Sequence, residues 1–430
     1  YDLMPALVNA LDGRGRVPID VLARTILGLA QALYGELASP SECEGFRDPQ
    51  VIRDRILVSL EESVARFPQH RRREVLEAFL LLTGRENSAL KKILINPHHP
   101  AFLPIVEMLG QSESGGVVRL LLSMLDDPHI PSAVLGVIAK RKDMRFVEHL
   151  LAKLGGEPSP AAIQNLKKIQ VVGWYQSAIS FLDQLDEEGQ CGMVRLIMKS
   201  GIPRVQAFSV IQQVLLHGKP KGRRAAAHAL VEFSGADANA LAVRALEDPD
   251  AQVQATVVRQ LRRRGIPGVL PRMIELLDSP HVEVRNAARE NLSEFTIERF
   301  LAAYDLLDDQ VRTSTSLLVK KADPRTLSVL RQELQSGLRS RRLRGIDVAC
   351  SMDCVEALED AIAELLNDED HLVRSEAVEA LGKCASPTSR EALQRAQHDS
   401  NELVRQAATR SLHQHAAFGN WREALADPRD

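Results

Sequence analysis

Residues 269–295 have the sequence VLPRMIELLDSPHVEVRNAARENLSEF, and this stretch decides the fold. Apolar residues recur at helical spacing over 269–277 and again over 284–292. Between them, residues 278–280 are Asp-Ser-Pro, which supplies a capping oxygen followed by a proline suited to a first helical turn. The pattern predicts two short helices joined by a turn. Neither is long enough to be stable alone, so each must bury its apolar face against a neighbour.

The chain supplies that neighbour by repeating the unit. Four clear copies, about 31 residues apart or a multiple of that, have a valine at the same place: Val253, Val284, Val373 and Val404. Two weaker copies fit between the second and third, and the spacing places Val311-Arg312 and Leu343-Arg344 in register there. Helix pairs at similar steps are marked further back by Arg223, Val194, Ile163, Ala133, Leu103 and Arg73. A period in this range, sustained over residues 60–415, predicts a solenoid of about twelve units.

The repeats resemble HEAT repeats, particularly the short HEAT-like repeats of the phycobilisome-lyase type, which are armadillo-type α-solenoids. The resemblance is carried by a turn aspartate, a Val-Arg pair and a small residue one helical turn later: Asp248, Asp278, Asp368 and Asp399; Val284-Arg285, Val373-Arg374 and Val404-Arg405; Ala287, Ala377 and Ala408. It is strong over 223–412, rests on spacing over 73–204, and says little about 1–60.

The resemblance implies an all-α fold, a right-handed superhelical stack of about twelve antiparallel helix pairs in one elongated domain. We expect an N-terminal helical cap or junction at 1–67, degenerate repeats at 68–220, regular repeats at 221–415 and a C-terminal tail at 416–430. It also implies that certain arginines pair with turn aspartates between units: Arg285, Arg374 and Arg405.

Composition excludes several other classes of protein. The 430 residues exceed what one compact core usually holds, but a solenoid's length is not limited by core size. The net charge of −3 provides no global field toward nucleic acid or membrane. No run of 18 apolar residues and no signal-peptide pattern occurs, so we expect no membrane insertion and a cytoplasmic location. Because the chain starts with Tyr1, we also expect it to be a region of a larger protein that is tethered by a segment outside this chain.

No catalytic or metal-binding motif stands out. The sequence has no GxGxxG, Walker A, GxSxG or HExxH pattern, and the five cysteines form no metal-type pair. Iron-binding HEAT-repeat hydroxylases use His-Glu pairs, but none of the twelve histidines here precedes a glutamate. The bilin-lyase activity of some similar repeats depends on no motif that could be carried over. We therefore predict no cofactor, no metal, no small-molecule ligand and no catalytic residue.

Basic clusters are the main functional lead. Residues 221–344 hold 21 Lys and Arg against 16 Asp and Glu, whereas residues 345–430 hold 8 against 17. If the second helix of each pair lines the concave face, as in HEAT proteins, Arg259 and Arg263 point into the groove. The next cluster of candidates is Arg339, Arg341 and Arg342. A solvated face of mixed charge, a patch for an acidic protein or peptide, and a nucleic-acid surface are the three interpretations, and few aromatic residues accompany these arginines to stack on bases.

Trp174-Tyr175 is the other unusual pair, in a chain with two tryptophans. It either fills an irregular junction between units or anchors a partner, since both residue types are enriched in binding hot spots.

These observations predict a non-enzymatic scaffold or adaptor that binds a protein partner along the concave face. A repeat stack offers a long pre-organised surface and builds no closed polar pocket. Two alternatives stay open: a nucleic-acid-associated HEAT-like protein using the arginine-rich middle, and a lyase-like enzyme with a site in the groove.

Overall fold

The protein is described here by a computed structural model. The residues it describes are 1–11, 17–38, 48–174, 182–384 and 386–413. Within these ranges the chain forms α-helices joined by short turns and contains no strand, which confirms the predicted all-α class. The chain divides into two compact units: unit 1 runs from Tyr1 to Val253 and unit 2 begins at Gln254. The predicted tail at 416–430 lies outside the described residues.

Unit 1 is built from short helices packed side by side. They are α1 (Met4–Ala10), α2 (Ile19–Ala38), α3 (Pro49–Ala65), α4 (Phe67–His70), α5 (Arg73–Leu82), α6 (Ser88–Ile95), α7 (Phe102–Gln111), α8 (Gly115–Ser123), α9 (Ser132–Lys140), α10 (Met144–Gly155), α11 (Pro160–Leu166), α12 (Glu187–Lys199), α13 (Arg204–His217), α14 (Pro220–Ala229) and α15 (Ala236–Arg244). Helix α5 packs on α2 and α8, and α12 packs on α10 and α14. The division between the units falls inside α16 (Ala251–Leu261).

Unit 2 repeats a helix pair. Its helices are α17 (Val269–Leu276), α18 (Val282–Asn291), α19 (Ile297–Ala303), α20 (Asp309–Ala322), α21 (Thr326–Leu334), α22 (Arg339–Ser351), α23 (Glu359–Glu364), α24 (His371–Leu381), α25 (Pro387–Ala396) and α26 (402–413). The second helices of the pairs are α18, α20, α22, α24 and α26. Residues 269–295 thus form the predicted helix pair, and each unit is an α-solenoid.

Buried aliphatic side chains hold the pairs of unit 2 together. A continuous cluster runs from Ile297 to Ala408 and includes Val373 and Val404, both almost fully buried. Small residues one turn later, such as Ala377, are also buried and let neighbouring helices approach closely. The number of repeats, the handedness of the stack and the four divisions of the chain stay predictions.

Two glycines bring the backbones of α10 and α12 together in unit 1. A Cβ added to Gly192 would overlap the carbonyl oxygen of Leu151, and one added to Gly155 would overlap that of Glu188. The contacts are reciprocal, because each glycine of one helix faces the backbone of the other. No side chain fits at either position, and neither backbone can move away without separating the helices.

We predict that Gly192→Ala destabilises unit 1 by about 3 kcal/mol or more, since the methyl group must force the two backbones apart. The measurement is urea unfolding followed by circular dichroism. Gly136→Ala in α9 is the matched control, because no atom lies within 4 Å of the added Cβ and alanine favours a helix by up to about 1 kcal/mol. Equal stability of the two variants would contradict the close approach.

Arginine-aspartate pairs join successive repeats. In unit 2, Nε of Arg374 on α24 donates to the Asp399 carboxylate of the next turn at 2.8 Å, and its Nη1 donates to the carbonyl of Asp368 in its own turn at 2.7 Å. Asp399 also accepts from the backbone N–H of Asn401 at 2.7 Å. The Arg374 guanidinium, together with this N–H, holds the pKa of Asp399 below its ordinary value. The Arg374 guanidinium therefore connects its own turn to the next turn, and the Asp399 carboxylate stabilises that next turn by accepting its backbone N–H.

The same arrangement occurs at two other repeat junctions: Arg223 with Asp248 at 2.9 Å in unit 1, and Arg342 with Asp368 at 2.7 Å in unit 2. The pairing expected for Arg374 is confirmed. Among the described contacts, Arg285 and Arg405 do not bind an aspartate of the next turn. Each donates instead to two carbonyl oxygens of its own turn.

The structure corrects the alignment of the repeat that contains α22. Leu343-Arg344 was expected at the Val-Arg position, but Arg342 makes the inter-repeat pair, so Arg341 stands where valine is found elsewhere. An arginine there is tolerated because its guanidinium lies at the surface, bound to Glu333. Val311 is in register but is 42% exposed, whereas Val284 is fully buried. The copy that contains α19 and α20 is thus the least regular of unit 2.

We predict that Arg374→Ala lowers the free energy of unfolding by roughly 2–4 kcal/mol at pH 7, because it leaves the largely buried Asp399 carboxylate without its cation. The folded-state pKa of Asp399 is lowered, so its contribution is complete above the unfolded value of about 3.9 and is lost as pH falls through the folded pKa. Urea unfolding at a series of pH values should show the deficit narrowing below about pH 4.

Arg410→Ala is the matched control in the same unit. Arg410 pairs with Glu379 at 3.1 Å, but both side chains are largely exposed, so the loss should stay below about 1 kcal/mol. An Arg374→Ala deficit as small as that of the control would show that the inter-repeat pair is not a main source of stability.

Candidate protein-binding surface

The first arginine cluster of the sequence analysis lies on α16 and the turn after it. Arg259 donates to Glu290 of α18 at 2.9 Å, and the neighbouring Arg262 binds Glu294. Arg263 is exposed and makes no hydrogen bond or ion pair with the residues that the structure describes. Of the two candidates, Arg259 therefore contributes to a repeat junction, and Arg263 keeps its charge for solvent or a partner.

The second cluster begins α22. Arg339 binds Asp370 of the next turn at 2.9 Å, and Arg342 is 8% exposed and bound to Asp368. Arg341 binds Glu333 of α21, which is 4% exposed. Hydrogen bonds from Arg341 lower the pKa of Glu333 against the opposing effect of its burial. All three candidate arginines thus have acidic partners within unit 2.

The pairing extends to the third basic segment, at 221–224 in unit 1. Lys221, Arg223 and Arg224 bind Glu188, Asp248 and Asp250 respectively. The excess of positive charge counted over 221–344 is therefore mostly matched locally by carboxylates of neighbouring turns. A phosphate-binding stripe needs unpaired cations in a row, and these clusters do not provide one.

Trp174 is 2% exposed. A side chain this deeply buried packs inside unit 1 and is not available as an anchor for a partner, so filling a junction is the interpretation that fits. Tyr175, the other half of the pair, lies outside the described residues.

Sequence reasoning missed a set of exposed aliphatic side chains at the start of the second helices of unit 2. Each second helix has a large exposed aliphatic residue at its N-cap or in its first turn. We call these residues the aliphatic edge: Val282, Val311, Leu338, Leu372 and Leu403. Their exposed fractions lie between 39% for Leu372 and 62% for Leu338. Leu372 and Leu403 occupy equivalent positions in successive repeats, two residues before Arg374 and Arg405. That recurrence is the signal in the sequence that marks these positions.

Carboxylates accompany the aliphatic edge on the same helices. Asp347 on α22 lies near Glu376 on α24, and Glu379 follows one turn later. Burial raises the pKa of Glu376, and the negative charges of Glu379 and Asp347 raise it further. Glu379 is already paired with Arg410, and Lys383 offsets part of the effect on Glu376, so a cation brought by another molecule would act mainly on Asp347 and Glu376. The second-helix surface of unit 2 is thus apolar at its edge and acidic on α22 and α24.

No alternative chemistry emerges among the described residues. They contain no group of three or more His, Cys, Asp or Glu side chains placed to hold a metal ion. Burial raises the pKa of Cys350 and Cys354, so neither is a ready thiolate. No helix in the described part of the chain is both long and apolar enough to cross a bilayer.

The sequence model of HEAT repeats matches residues 208–293 and 324–413. These two stretches carry HEAT repeats. The unmatched stretch between the two HEAT-repeat regions, 294–323, contains α19 and α20, where Val311 is exposed instead of buried. The stretch that departs from the HEAT-repeat sequence pattern is therefore also the stretch whose packing is irregular.

No curated protein sequence matches the chain. Solved structures that it resembles include human deoxyhypusine hydroxylase in complex with glycerol, at 19% identity and a TM-score of 0.21, covering 73% of this chain and 99% of that one. An engineered protein matches at 18% identity and a TM-score of 0.22, covering 96% and 98%. Kap121p matches at 12% identity and a TM-score of 0.27, covering 96% and 53%. Scores this low say nothing about the chemistry or partners of this chain.

Proposed function

We propose that this HEAT-repeat chain is a non-enzymatic scaffold that binds a protein partner through the second-helix surface of unit 2. The observation that carries the proposal is the aliphatic edge, because large aliphatic side chains recur at the start of successive second helices and remain exposed. Covering the exposed part of each leucine contributes on the order of 1 kcal/mol of binding free energy, because Leu372 and Leu403 are already about half buried. Recurrence in every repeat suits a partner segment that extends along several repeats.

The charges of unit 2 indicate what such a segment carries. Asp347 and Glu376 favour basic side chains, and residues 345–430 are acidic as a whole. A segment that combines apolar and basic residues meets both requirements. The nucleic-acid alternative has less support, because Arg259, Arg339 and the neighbouring arginines are bound to carboxylates.

We predict that replacing Leu372 and Leu403 together by Ser weakens retention of the partner by about tenfold or more, since two apolar contacts are lost without adding charge. The full chain is immobilised as bait, a cell lysate is passed over it with nuclease at low and at high salt, and captured proteins are quantified by mass spectrometry.

The matched control replaces Leu270 and Leu327 by Ser. Both are 42% exposed but lie on the first helices α17 and α21, so the same protein should be retained as by the unaltered chain. A protein lost equally from both variants, or from neither, would contradict the assignment to the second-helix surface. Recovery of nucleic acid that disappears with salt and with Arg259→Ala and Arg263→Ala would favour the nucleic-acid alternative instead.

A further inference from the structure

Unit 1 contains a groove that the proposed function does not use. It has a volume of about 590 Å³ and lies along α8, with Tyr34 of α2 on one side and His149 of α10 on the other. A smaller cavity that shares Gly115, Val118 and His149 continues it toward Arg145. The groove thus follows several helices rather than forming one closed pocket.

Cations without acidic partners line this groove. Arg119 and Arg145 are exposed, and neither forms an ion pair with the described residues. The guanidinium of Arg119 lies 5.6 Å from the centre of the Tyr34 ring, which fixes its position over the groove. Nδ1 of His149 donates to the carbonyl of Arg145 at 2.6 Å. Glu113 is the unpaired carboxylate of the lining.

Other charged side chains of the lining are already committed. Lys153 binds Asp126 at 2.7 Å, and Arg141 is buried, bound to Asp143 at 2.7 Å and to the carbonyl of Leu109 at 2.9 Å. These ion pairs stabilise the helices that line the groove, and in each pair the positive and negative charges neutralise each other. Arg119 and Arg145, which no structural pair requires, outnumber the unpaired carboxylate Glu113, so the groove keeps a small net positive charge.

The floor adds apolar surface and backbone donors. Leu81, Val118 and Leu122 line the groove. Helix α8 begins at Gly115, and the side chain of its N-cap residue Ser114 makes no capping hydrogen bond, so first-turn N–H groups keep their capacity to donate. Unpaired groups on the lining are thus mainly donors and cations, and the ligand they lack is an acceptor with negative charge.

We propose that this groove binds an acidic peptide segment of a partner protein, with its carboxylates toward Arg119 and Arg145 and its apolar side chains on the floor. An extended segment suits a groove that crosses α2, α8 and α10, and charge complementarity selects glutamate or aspartate. The groove shares no residue with the second-helix surface of unit 2, where Asp347 and Glu376 select the opposite charge.

The test uses a fluorescein-labelled decapeptide of alternating Glu and Leu, with fluorescence anisotropy of the full chain as the readout. We expect saturable binding that weakens as salt rises. Arg119→Glu and Arg145→Glu should each weaken it by about tenfold or more, because a close attraction becomes a repulsion. The peptide with Lys in place of Glu should not bind.

Lys92→Glu is the matched control, a charge reversal at an exposed site on α6 of the same unit, and should leave the affinity unchanged. Replacing Leu372 and Leu403 by Ser should also leave it unchanged, which separates this proposal from the proposed function. Circular dichroism confirms that each variant is folded. Absence of binding, equal loss with Lys92→Glu, or full displacement of the peptide by millimolar inorganic phosphate would overturn the assignment to an acidic peptide.

Discussion

The inter-repeat arginine-aspartate pair is the interaction on which the regular part of this solenoid depends. A guanidinium such as that of Arg374 has enough donors to bind its own turn and the carboxylate of the next one. The carboxylate in turn accepts the N–H that opens the following helix. Packing of Val373 and Ala377 brings the repeats together, and a bidentate ion pair with directional hydrogen bonds adds a constraint on their relative orientation. Burial supplies most of the free energy, and the pair supplies geometry.

That role also explains why arginine is abundant here without marking a nucleic-acid surface. Counting charges over 221–344 gives an excess of positive charge, yet side chains such as Arg259, Arg339 and Arg342 lie opposite carboxylates of neighbouring turns. Charge composition along a repeat protein reports how repeats contact each other as much as what they bind. Among the described residues, Arg119, Arg145 and Arg263 form no ion pair, and of these three only Arg263 lies in one of the basic clusters.

Much of the fold was predictable from the sequence, and the reasons are local. The valine period and the Asp-Ser-Pro turn of 278–280 depend on residues within one repeat, so they identified the helix pairs. The register around Arg342 was wrong because three arginines within four positions fit the pattern equally well, and only burial against Asp368 distinguishes them. The groove beside Arg119 and the contact between Gly155 and Gly192 join helices distant in sequence, and no local pattern encodes them. The aliphatic edge was visible but unrecognised.

The irregular copy formed by α19 and α20 has a consequence for cooperativity. In a linear array, each repeat is stabilised mainly by its two neighbours, so the array unfolds as one body only while every junction is strong. Val311 is exposed where a buried valine couples other copies, and the continuous apolar cluster begins at Ile297. Unfolding of one side of this copy is therefore communicated less strongly to the other side than across a regular repeat. A molecule bound across α18 and α22 would join the two sides and make them unfold together.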